Sequence, residues 1–376
     1  MERMKLLIDF GSIKTGGALQ LATNFLEFHR EYPQDVAKVY LLLAEHSSLR
    51  GSVDFSQYDG YLIYPDNYVS RKLFELTKLR RFIRSAEISH IYTFFGAGIP
   101  TARGVRSIVS VAYPIVCYPD SPFWKYLRFD IRIKHQLLNR FRRHRIRLAD
   151  KVIAETEVMA NRIARYVGVP RTHITVIPPA PTAFVVAVDH KLRSPDIKFR
   201  ILLLGGLDRH KNLWRLPEIS RVIASQGYIN FKFVISSERE LFVAAYRESR
   251  GYETELEQFF EFTGAISPQA IQSVYDDVHC LMNISDLESF SNNYMEAWKA
   301  GIPLICSDTD FARHICRDSA IYIDPHDPIA GSKKIIAFIE DPDLQERLVR
   351  SGKPLLAELP SLSRKFEETM KVMVSA

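Results

Sequence analysis

The sequence predicts an α/β protein with two domains, each built on a parallel sheet wrapped by helices. Length is the first observation, because 376 residues suggest roughly two domains and can bury ample core. The second is the alternation of short apolar runs with stretches of helical periodicity, which is typical of parallel sheets. The third is a proline group at 178–181, the clearest linker signal in the chain. We therefore place the domain boundary near 182–195.

Thirteen apolar runs are predicted as strands. Those of the first half lie at 5–10, 36–43, 60–64, 90–95, 108–112, 151–156 and 174–177. Those of the second half lie at 200–204, 231–235, 260–263, 279–284, 304–306 and 321–323. The predicted domains are 1–185 and 195–360, and the stretch at 361–376 is predicted as a terminal helix.

One stretch of the second half, 285–298, combines features that indicate an anion site. It follows a predicted buried strand and opens a predicted helix. Ser291 is a suitable N-cap for that helix. If it is the cap, the backbone N–H groups of Asn292, Asn293 and Tyr294 are free at the helix start, where a diphosphate can bind.

Two carboxylates flank this predicted anion site, Glu288 in the loop and Glu296 on the helix. Carboxylates beside an anion are costly unless they bind neutral groups, such as the hydroxyls of a sugar or a ribose. The alternative is that Glu288 caps the loop and Glu296 is a solvated helix residue. The succession of strand, Ser-rich turn, Asn pair and helix favours the functional interpretation.

The spacing of Glu288 and Glu296, with seven residues between them, resembles the motif of retaining glycosyltransferase family four, of bacterial surface-glycan type. The segments 300–308, 310–313 and 320–325 are also similar to that family. The resemblance implies the GT-B fold, in which two Rossmann-like domains face each other across a cleft and the last helix crosses back to the first domain. The first domain would take the acceptor and the second the nucleotide-sugar donor.

The resemblance also implies a role for each polar residue of the stretch. Glu288 would contact hydroxyls of the donor sugar, and Glu296 would accept hydrogen bonds from the ribose of the nucleotide. The backbone N–H groups of Ser291, Asn292 and Asn293 would hold the diphosphate.

A glycine-rich loop at 11–17 joins the first predicted strand to a helix. That layout lets backbone N–H groups approach a phosphate, although a plain connecting turn is the alternative. The spacing is not GxGxxG, so it does not indicate a dinucleotide. In the resembling family a Gly-Gly pair at this point lines the cleft, which makes Gly16 and Gly17 candidate donor-binding residues.

Lys211 follows a predicted strand and the glycine turn at Gly205. A lysine there can neutralise a diphosphate and assist its departure, because negative charge grows on it as the sugar bond breaks. The alternative is a solvated lysine at a turn. The resembling family has Gly-Arg-Leu-Asp-x-x-Lys here, and this sequence has Gly206 in place of the arginine. Arg209 is the candidate to replace it. Lys211 joins Glu288 as a predicted catalytic residue, and Gly205 is assigned to donor binding.

No metal or cofactor is predicted. The Asp-x-Asp sequence at 308–310 follows a different strand from the one before the site and suits a helix cap. The four cysteines form no CxxC pair, so they indicate neither a zinc site nor a disulfide framework. No signal peptide and no apolar run long enough to span a bilayer are recognised, so we expect a cytoplasmic protein.

The formal net charge of +6 is modest, but basic and aromatic residues crowd the segment 124–151, which begins at Trp124. Helical spacing is kept there by the apolar residues Leu127, Ile131, Leu138 and Phe141. A basic amphipathic helix suits peripheral contact with an anionic membrane, and a lipid-linked acceptor would explain it. A solvated helix face is the alternative. Nucleic acid would use the same charges, but no recognition motif accompanies them, so no nucleic-acid partner is predicted.

These observations lead us to expect a metal-independent hexosyltransferase of polysaccharide or lipopolysaccharide biosynthesis. It would move a sugar, with retention, from a nucleotide diphosphate to a hydroxyl of a glycan or lipid-linked acceptor. One alternative is a nucleotide- or glycan-binding protein without transfer, which the missing arginine favours. The other is a nucleotide-sugar epimerase or a phosphorylase on the same architecture.

Overall fold

The computed structural model describes residues 3–14, 17–28, 31–32, 35–51, 53–101, 103–188 and 198–376. The chain divides into two compact units. Unit 1 comprises Met1–Asp120, Leu127–Ala180 and Pro360–Ala376, and unit 2 comprises Ser121–Tyr126 and Pro181–Leu359. Nothing in the composition of Ser121–Tyr126 predicts that this short segment packs with the second unit.

All thirteen predicted strands form, with ends that differ by at most two residues. The strands of unit 1 are β1 (Met4–Phe10), β2 (Val36–Ala44), β3 (Gly60–Tyr64), β4 (His90–Thr93), β5 (Arg106–Val111), β6 (Lys151–Ala154) and β7 (Ile174–Val176). The strands of unit 2 are β8 (Phe199–Leu203), β9 (Phe231–Ile235), β10 (Phe260–Phe262), β11 (Cys280–Asn283), β12 (Leu304–Ser307) and β13 (Ala320–Ile323).

Both sheets pair their strands in parallel, so the predicted architecture of two Rossmann-like units is confirmed. The strand order is β3-β2-β1-β4-β5-β6-β7 in unit 1 and β10-β9-β8-β11-β12-β13 in unit 2. The order reverses between β1 and β4, which we name switch point 1, and between β8 and β11, which we name switch point 2. Loops leave the two strands of such a point in opposite directions, and ligands of open α/β sheets bind in the crevice between them, at the carboxyl ends.

The helices alternate with these strands as expected. Those of unit 1 are α1 (Gly17–Glu27), α2 (Tyr68–Phe74), α3 (Arg80–Ser85), α4 (Phe129–Arg147), α5 (Glu157–Arg162) and α14 (Leu362–Val374). Those of unit 2 are α6 (Leu216–Ser225), α7 (Arg239–Ala245), α8 (Glu253–Phe259), α9 (Ile271–Asp277), α10 (Asn292–Ala300), α11 (Asp310–Cys316), α12 (Pro328–Ile339) and α13 (Pro342–Glu358). A π-helical turn, Glu75–Leu79, joins α2 to α3.

Successive strand residues point to opposite faces, so each face of a sheet feeds its own core. In β1, Leu6 and Ile8 belong to one core, and Leu7 belongs to the other. The helix α14 completes the first of these cores, because the ring centroid of Phe366 lies 5.1 Å from that of Phe25 in α1. The terminal helix is thereby part of unit 1.

The helix expected in the basic segment forms as α4, and it presents apolar side chains to solvent. Phe129 and Leu137 are 78% and 65% exposed. Trp124 was counted with this segment, but it is buried in unit 2 beside Phe123, so it is not part of an exposed basic face. In the part of the chain that the structure describes, no helix has both the length and the apolarity of a membrane span.

Candidate active site at switch point 2

The loop after β8 brings Lys211 to switch point 2. It opens with Gly205, whose φ of +145° favours glycine. It closes with Asn212, a buried residue with a positive φ of +59°. The Asn212 side-chain amide donates to the carbonyl of Ile284 (3.0 Å), just beyond β11. The short helical turn that carries Lys211 is therefore anchored to the neighbouring strand.

The loop after β11 carries Glu288 and is fixed by buried hydrogen bonds. The backbone N–H of Asp286 donates to the carbonyl of His210 (2.8 Å), which ties this loop to the loop of Lys211. Ser307 Oγ donates to the carbonyl of Ser285 (2.6 Å) from the adjacent strand β12. Two loops from widely separated parts of the chain are therefore hydrogen-bonded together around the candidate residues.

Lys211 and Glu288 meet in an ion pair, with Lys211 Nζ 2.5 Å from Glu288 Oε1. Both side chains are mostly enclosed, with exposures of 22% and 13%. Burial opposes ionisation of Glu288, but the ammonium of Lys211 outweighs it and holds the pKa of the Glu288 carboxyl below its ordinary value. The pair therefore presents an ionised carboxylate and a cation side by side at the end of the sheet.

His210 belongs to the same cluster, although no sequence motif singles it out. Burial, with Lys211 beside it, lowers the pKa of the imidazole. Its ring packs edge-on against Phe123, with centroids 6.0 Å apart. A neutral imidazole adds no positive charge next to Lys211. The sequence signal that could have found His210 was its position directly before Lys211.

The helix α10 begins as predicted, with Ser291 as its N-cap residue, and ends at Gly301 with a φ of +66°. The cap differs from the expectation in its hydrogen bonds. Ser291 Oγ accepts from the Asn283 side-chain amide (2.8 Å) and makes no cap bond. The backbone N–H of Tyr294 donates to the carbonyl of Ser291 (3.1 Å), so it is not free to bind an anion. The backbone N–H groups of Asn292 and Asn293 lie in the first turn of α10, where the helix itself supplies no acceptor for them.

Asn293 and Glu296 are fixed by partners within unit 2. Asn293 Nδ2 donates to the carbonyl of Leu204 (2.9 Å), which joins the start of α10 to the end of β8. Glu296 Oε2 accepts a hydrogen bond from the hydroxyl of Tyr275 (2.9 Å). Burial raises the pKa of the Glu296 carboxyl above its ordinary value. The two glutamates of the motif therefore have opposite pKa shifts.

Arg209, the candidate to replace the missing family arginine, is held by two other residues. Arg209 Nη2 donates to Glu248 Oε1 (2.6 Å), and its guanidinium lies 3.9 Å from the centroid of Trp214. A contact with a diphosphate would require the guanidinium to share or leave Glu248. Of the two glycines in the first loop, Gly16 lies outside the described residues, and Gly17 is the first residue of α1 in unit 1.

A second polar network supports the Glu288 loop and was missed in the sequence. His326 Nε2 lies 2.8 Å from Asp286 Oδ1, and His326 Nδ1 lies 2.6 Å from Arg215 Nη2 and 3.0 Å from the Tyr126 hydroxyl. Arginine only donates, so Nδ1 accepts and Nε2–H donates to the carboxylate. The imidazole thus connects two buried, oppositely charged side chains. No sequence motif marks these residues, since they come from four separate segments.

One group of potential metal ligands occurs among the described residues, and it lies in unit 1. The ligand atoms of Glu45, His46 and Asp66 lie within 4.8 Å of one another. Lys14 Nζ is 2.9 Å from Asp66 Oδ1, so a cation already occupies part of this surface cluster.

Two family models match the two halves of the chain. Residues 24–180 match the model "Glycosyltransferase Family 4", and residues 187–354 match "Glycosyl transferases group 1". No curated protein matches the chain.

Solved structures with the same fold cover the whole chain. HepE of Anabaena, in complex with UDP-glucose, has a TM-score of 0.70 and 14% identity over 100% of both chains. Sucrose-phosphate synthase of Thermosynechococcus elongatus has a TM-score of 0.68 and 15% identity over 99% of each chain. WaaG, a glycosyltransferase involved in lipopolysaccharide biosynthesis, has a TM-score of 0.68 and 11% identity over 99% of this chain and 100% of its own. At these identities the likeness establishes the fold alone.

Proposed function

Because the chain belongs to the glycosyltransferases of the GT-B class, we propose that it moves a hexose from a nucleotide diphosphate to an acceptor hydroxyl with retention of configuration. The observation that carries this proposal is the ion pair of Lys211 and Glu288 beside the start of α10. A cation and free backbone N–H groups suit a diphosphate, and a carboxylate suits the hydroxyls of the attached sugar.

The chemistry follows from where charge develops. The bond between the anomeric carbon and the diphosphate oxygen breaks, and the electron pair stays with the departing diphosphate. Lys211 and the N–H groups of Asn292 and Asn293 stabilise that charge more strongly than they stabilise the intact donor. The acceptor oxygen bonds to the anomeric carbon on the face that the leaving group vacates, and its proton passes to the departing phosphate. Glu288 orients the sugar, and Glu296 binds the ribose.

The donor that the comparisons favour is a UDP-hexose, because HepE, with the same fold, was crystallised with UDP-glucose. We propose a glycan or lipid-linked acceptor, supported by the likeness to WaaG and by the exposed apolar residues on the basic helix α4. Peripheral contact with an anionic membrane would use Phe129 and Leu137 together with the cations of α4. Flotation with anionic vesicles, but not with neutral ones, is the expected result, and equal flotation with both would contradict the contact.

The central experiment measures sugar release from a panel of nucleotide sugars with acceptor present. Replacing Glu288 by Gln should reduce kcat about 100-fold or more, because orientation and charge at the reacting carbon are lost. Glu340→Gln, an exposed change in the same unit, serves as the matched control and should leave turnover intact. Equal turnover by wild type and Glu288→Gln would remove this residue from the mechanism. Unchanged turnover in excess EDTA is expected for a metal-independent reaction.

A second candidate, binding of a nucleotide sugar without transfer, is favoured by Gly206 and by the engagement of Arg209 with Glu248. Saturable donor binding with no product in the presence of every acceptor tested would favour this candidate. Product analysis without acceptor would identify an epimerase, and product analysis with added phosphate would identify a phosphorylase.

A further inference from the structure

Switch point 1 contains a pocket of about 170 Å³ that the motif analysis did not predict. It lies at the carboxyl ends of β1, β3 and β4, and α4 forms one of its walls. All of its lining residues belong to unit 1. The pocket therefore occupies the position in unit 1 that the Lys211 and Glu288 cluster occupies in unit 2.

Four cations line this pocket, Arg71, Lys72, Arg142 and Arg145, against two carboxylates, Asp9 and Glu75. Glu75 accepts from Arg145 through both carboxylate oxygens (3.0 and 2.5 Å), from Lys72 (3.1 Å) and from the Tyr64 hydroxyl. Burial would raise the pKa of Glu75, but Arg145 and these donors lower it, so the carboxylate is ionised and satisfied.

Asp9 is a buried acid that is hydrogen-bonded within unit 1. Its oxygens accept from the backbone N–H of Gly11 (2.8 Å) and from the Thr93 hydroxyl (3.1 Å), and burial raises its pKa. Even with both acids ionised, the lining residues carry two positive charges in excess, and Asp66, just outside the lining, lies 3.9 Å from Arg71 Nη2. All four cations are partly exposed, so solvent compensates this charge until an anionic ligand takes its place.

Arg142 is the cation with the most unused hydrogen-bonding capacity. Within the described ranges its guanidinium makes a single hydrogen bond, to Asn139 Oδ1 (3.2 Å). A guanidinium has five N–H donors in a fork that matches a carboxylate or a phosphate. The central carbon of the Arg142 guanidinium, Cζ, lies 5.3 Å from the ring centroid of Tyr113, which also lines the pocket. Cation and aromatic ring are therefore presented together.

The floor of the pocket is a tight backbone turn. Phe95 has a φ of +51°, which is rare for a bulky residue, and Gly98 has a φ of +87°. At Gly96 a Cβ would lie 2.4 Å from Thr93 Cγ2, so the backbone must approach closely. Local strain of this kind persists where the surrounding structure imposes it, and such sites cluster where ligands bind.

We propose that this pocket binds the acceptor, and that the acceptor presents there a sugar carrying an oxyanion, either a phosphate or a carboxylate. The Arg142 fork takes the anion among the other lining cations, and Tyr68 and Tyr113 offer ring faces and hydroxyls to the sugar. Tyr64 is already engaged, because its hydroxyl donates to Glu75 and the Arg71 guanidinium lies 4.3 Å from its ring centroid. The volume admits an anionic group together with a sugar ring. This inference rests on the proposed function, because it assigns the acceptor of the same reaction.

The test is isothermal titration of the full chain with glucose 6-phosphate, glucuronate and glucose. Both anions should bind saturably and glucose should not, and the stronger anion identifies the group on the acceptor. Arg142→Gln should weaken anion binding at least tenfold, and Arg142→Lys should restore part of it. Arg140→Gln removes the same charge from an exposed position of the same helix and should change nothing. Lys211→Gln should also leave the heat of binding unchanged, which separates this pocket from the donor site.

Several results would overturn the inference. One is equal binding of glucose and the two anions, and another is an equal loss of anion binding in Arg142→Gln and Arg140→Gln. The third is the absence of saturable heat for either anion up to about 10 mM, a concentration range that would detect a Kd of about 1 mM. Failure of the proposed function looks different, because it would remove sugar transfer while anion binding that depends on Arg142 persists. Transfer without such binding would leave the proposed function intact and place the acceptor elsewhere.

Discussion

The two switch points have the same topology and opposite electrostatic designs. At switch point 2, a lysine and a glutamate neutralise each other, and the neighbouring histidine has a lowered pKa. At switch point 1, four cations surround two carboxylates. An ion pair with open N–H groups suits a diphosphate whose negative charge grows during the reaction, whereas a standing excess of cations suits an anion whose charge does not change. The sheet thus supplies the crevice, and the loops determine its chemistry.

The largest expected effect is on kcat, and it distinguishes the two switch points by which kinetic constant each variant changes. Lys211→Gln should lower kcat by about 100- to 1,000-fold, because it removes a group that acts on the leaving diphosphate. Arg142→Gln should raise the acceptor KM and change kcat little, because it removes binding that is uniform between ground state and transition state. Steady-state kinetics with acceptor varied at saturating donor distinguish them. The same signature for both variants would erase the distinction between the crevices.

The network behind Glu288 should show the next largest effect, on stability. His326→Ala leaves Asp286 and Arg215, both buried, without the imidazole that connects them, at a cost of about 1–3 kcal/mol. The midpoint of thermal unfolding should fall accordingly. His314→Ala, an exposed histidine of unit 2, is the control and should leave the midpoint within error. A similar midpoint for both variants would mean that the network contributes nothing measurable.

The two motif glutamates should respond to pH in opposite directions. The pKa of Glu288 is lowered, so its stabilising contribution is present above the ordinary glutamate value and is lost as pH falls through the lowered pKa. The pKa of Glu296 is raised, so its favourable contribution is present below the ordinary value and is lost as pH rises through the raised pKa.

Thermal unfolding of Glu288→Gln and Glu296→Gln across pH values from about 2 to 8 checks these signs, since that range extends well to both sides of an ordinary glutamate pKa of about 4.3. Relative to wild type, Glu288→Gln should be least stable near neutral pH and should approach wild type in acid. Glu296→Gln should gain on wild type as pH rises, because it removes a buried charge and keeps an acceptor for Tyr275. Parallel profiles for the two variants would contradict the assignment.

The smallest expected effect concerns Gly206, where the sequence departs from the family. Unlike Gly205, Gly206 does not have a positive φ, and a Cβ there would lie 3.3 Å from Asp208 Oδ2, so a substitution requires a small shift of the Asp208 side chain. Gly206→Arg should tighten donor binding by about tenfold, or about 1.4 kcal/mol. Gly206→Ala is the matched control and should bind donor like the wild type. Calorimetry with a UDP-hexose measures both, and unchanged affinity in Gly206→Arg would show that the missing arginine is not what limits donor binding.

The elements of the fold were predictable because they depend on local patterns. Each apolar run became a strand, and the cap at Ser291 and the end at Gly301 fixed α10. The placement of Lys211 near Glu288 followed from the order of strands and motifs. Each of these patterns spans few residues and predicts one kind of structural element.

The supporting networks were not predictable, since they depend on contacts between distant segments. His326 meets residues 40, 111 and 200 positions away. Arg145 was counted among the cations of an exposed helix, yet it points inward to Glu75, 70 positions earlier. Glu75 itself stands in a π-helical turn that periodicity does not reveal. A side chain's partner depends on tertiary structure, and neither composition nor spacing encodes it locally.

The segment Ser121–Tyr126 has a practical consequence for anyone who divides this protein. Phe123 packs with His210, Tyr126 bonds His326, and Ser121 Oγ donates to the carbonyl of Asp286. A fragment that starts at Pro181 would therefore lack six residues of its own unit, three of which make these contacts. Such a fragment would leave the carbonyl of Asp286 without its Ser121 donor and the ring of His210 without its Phe123 contact, so we expect it to be less stable than the same fragment with Ser121–Tyr126 attached. A dividing point chosen from the linker alone would therefore separate residues that pack in one compact unit.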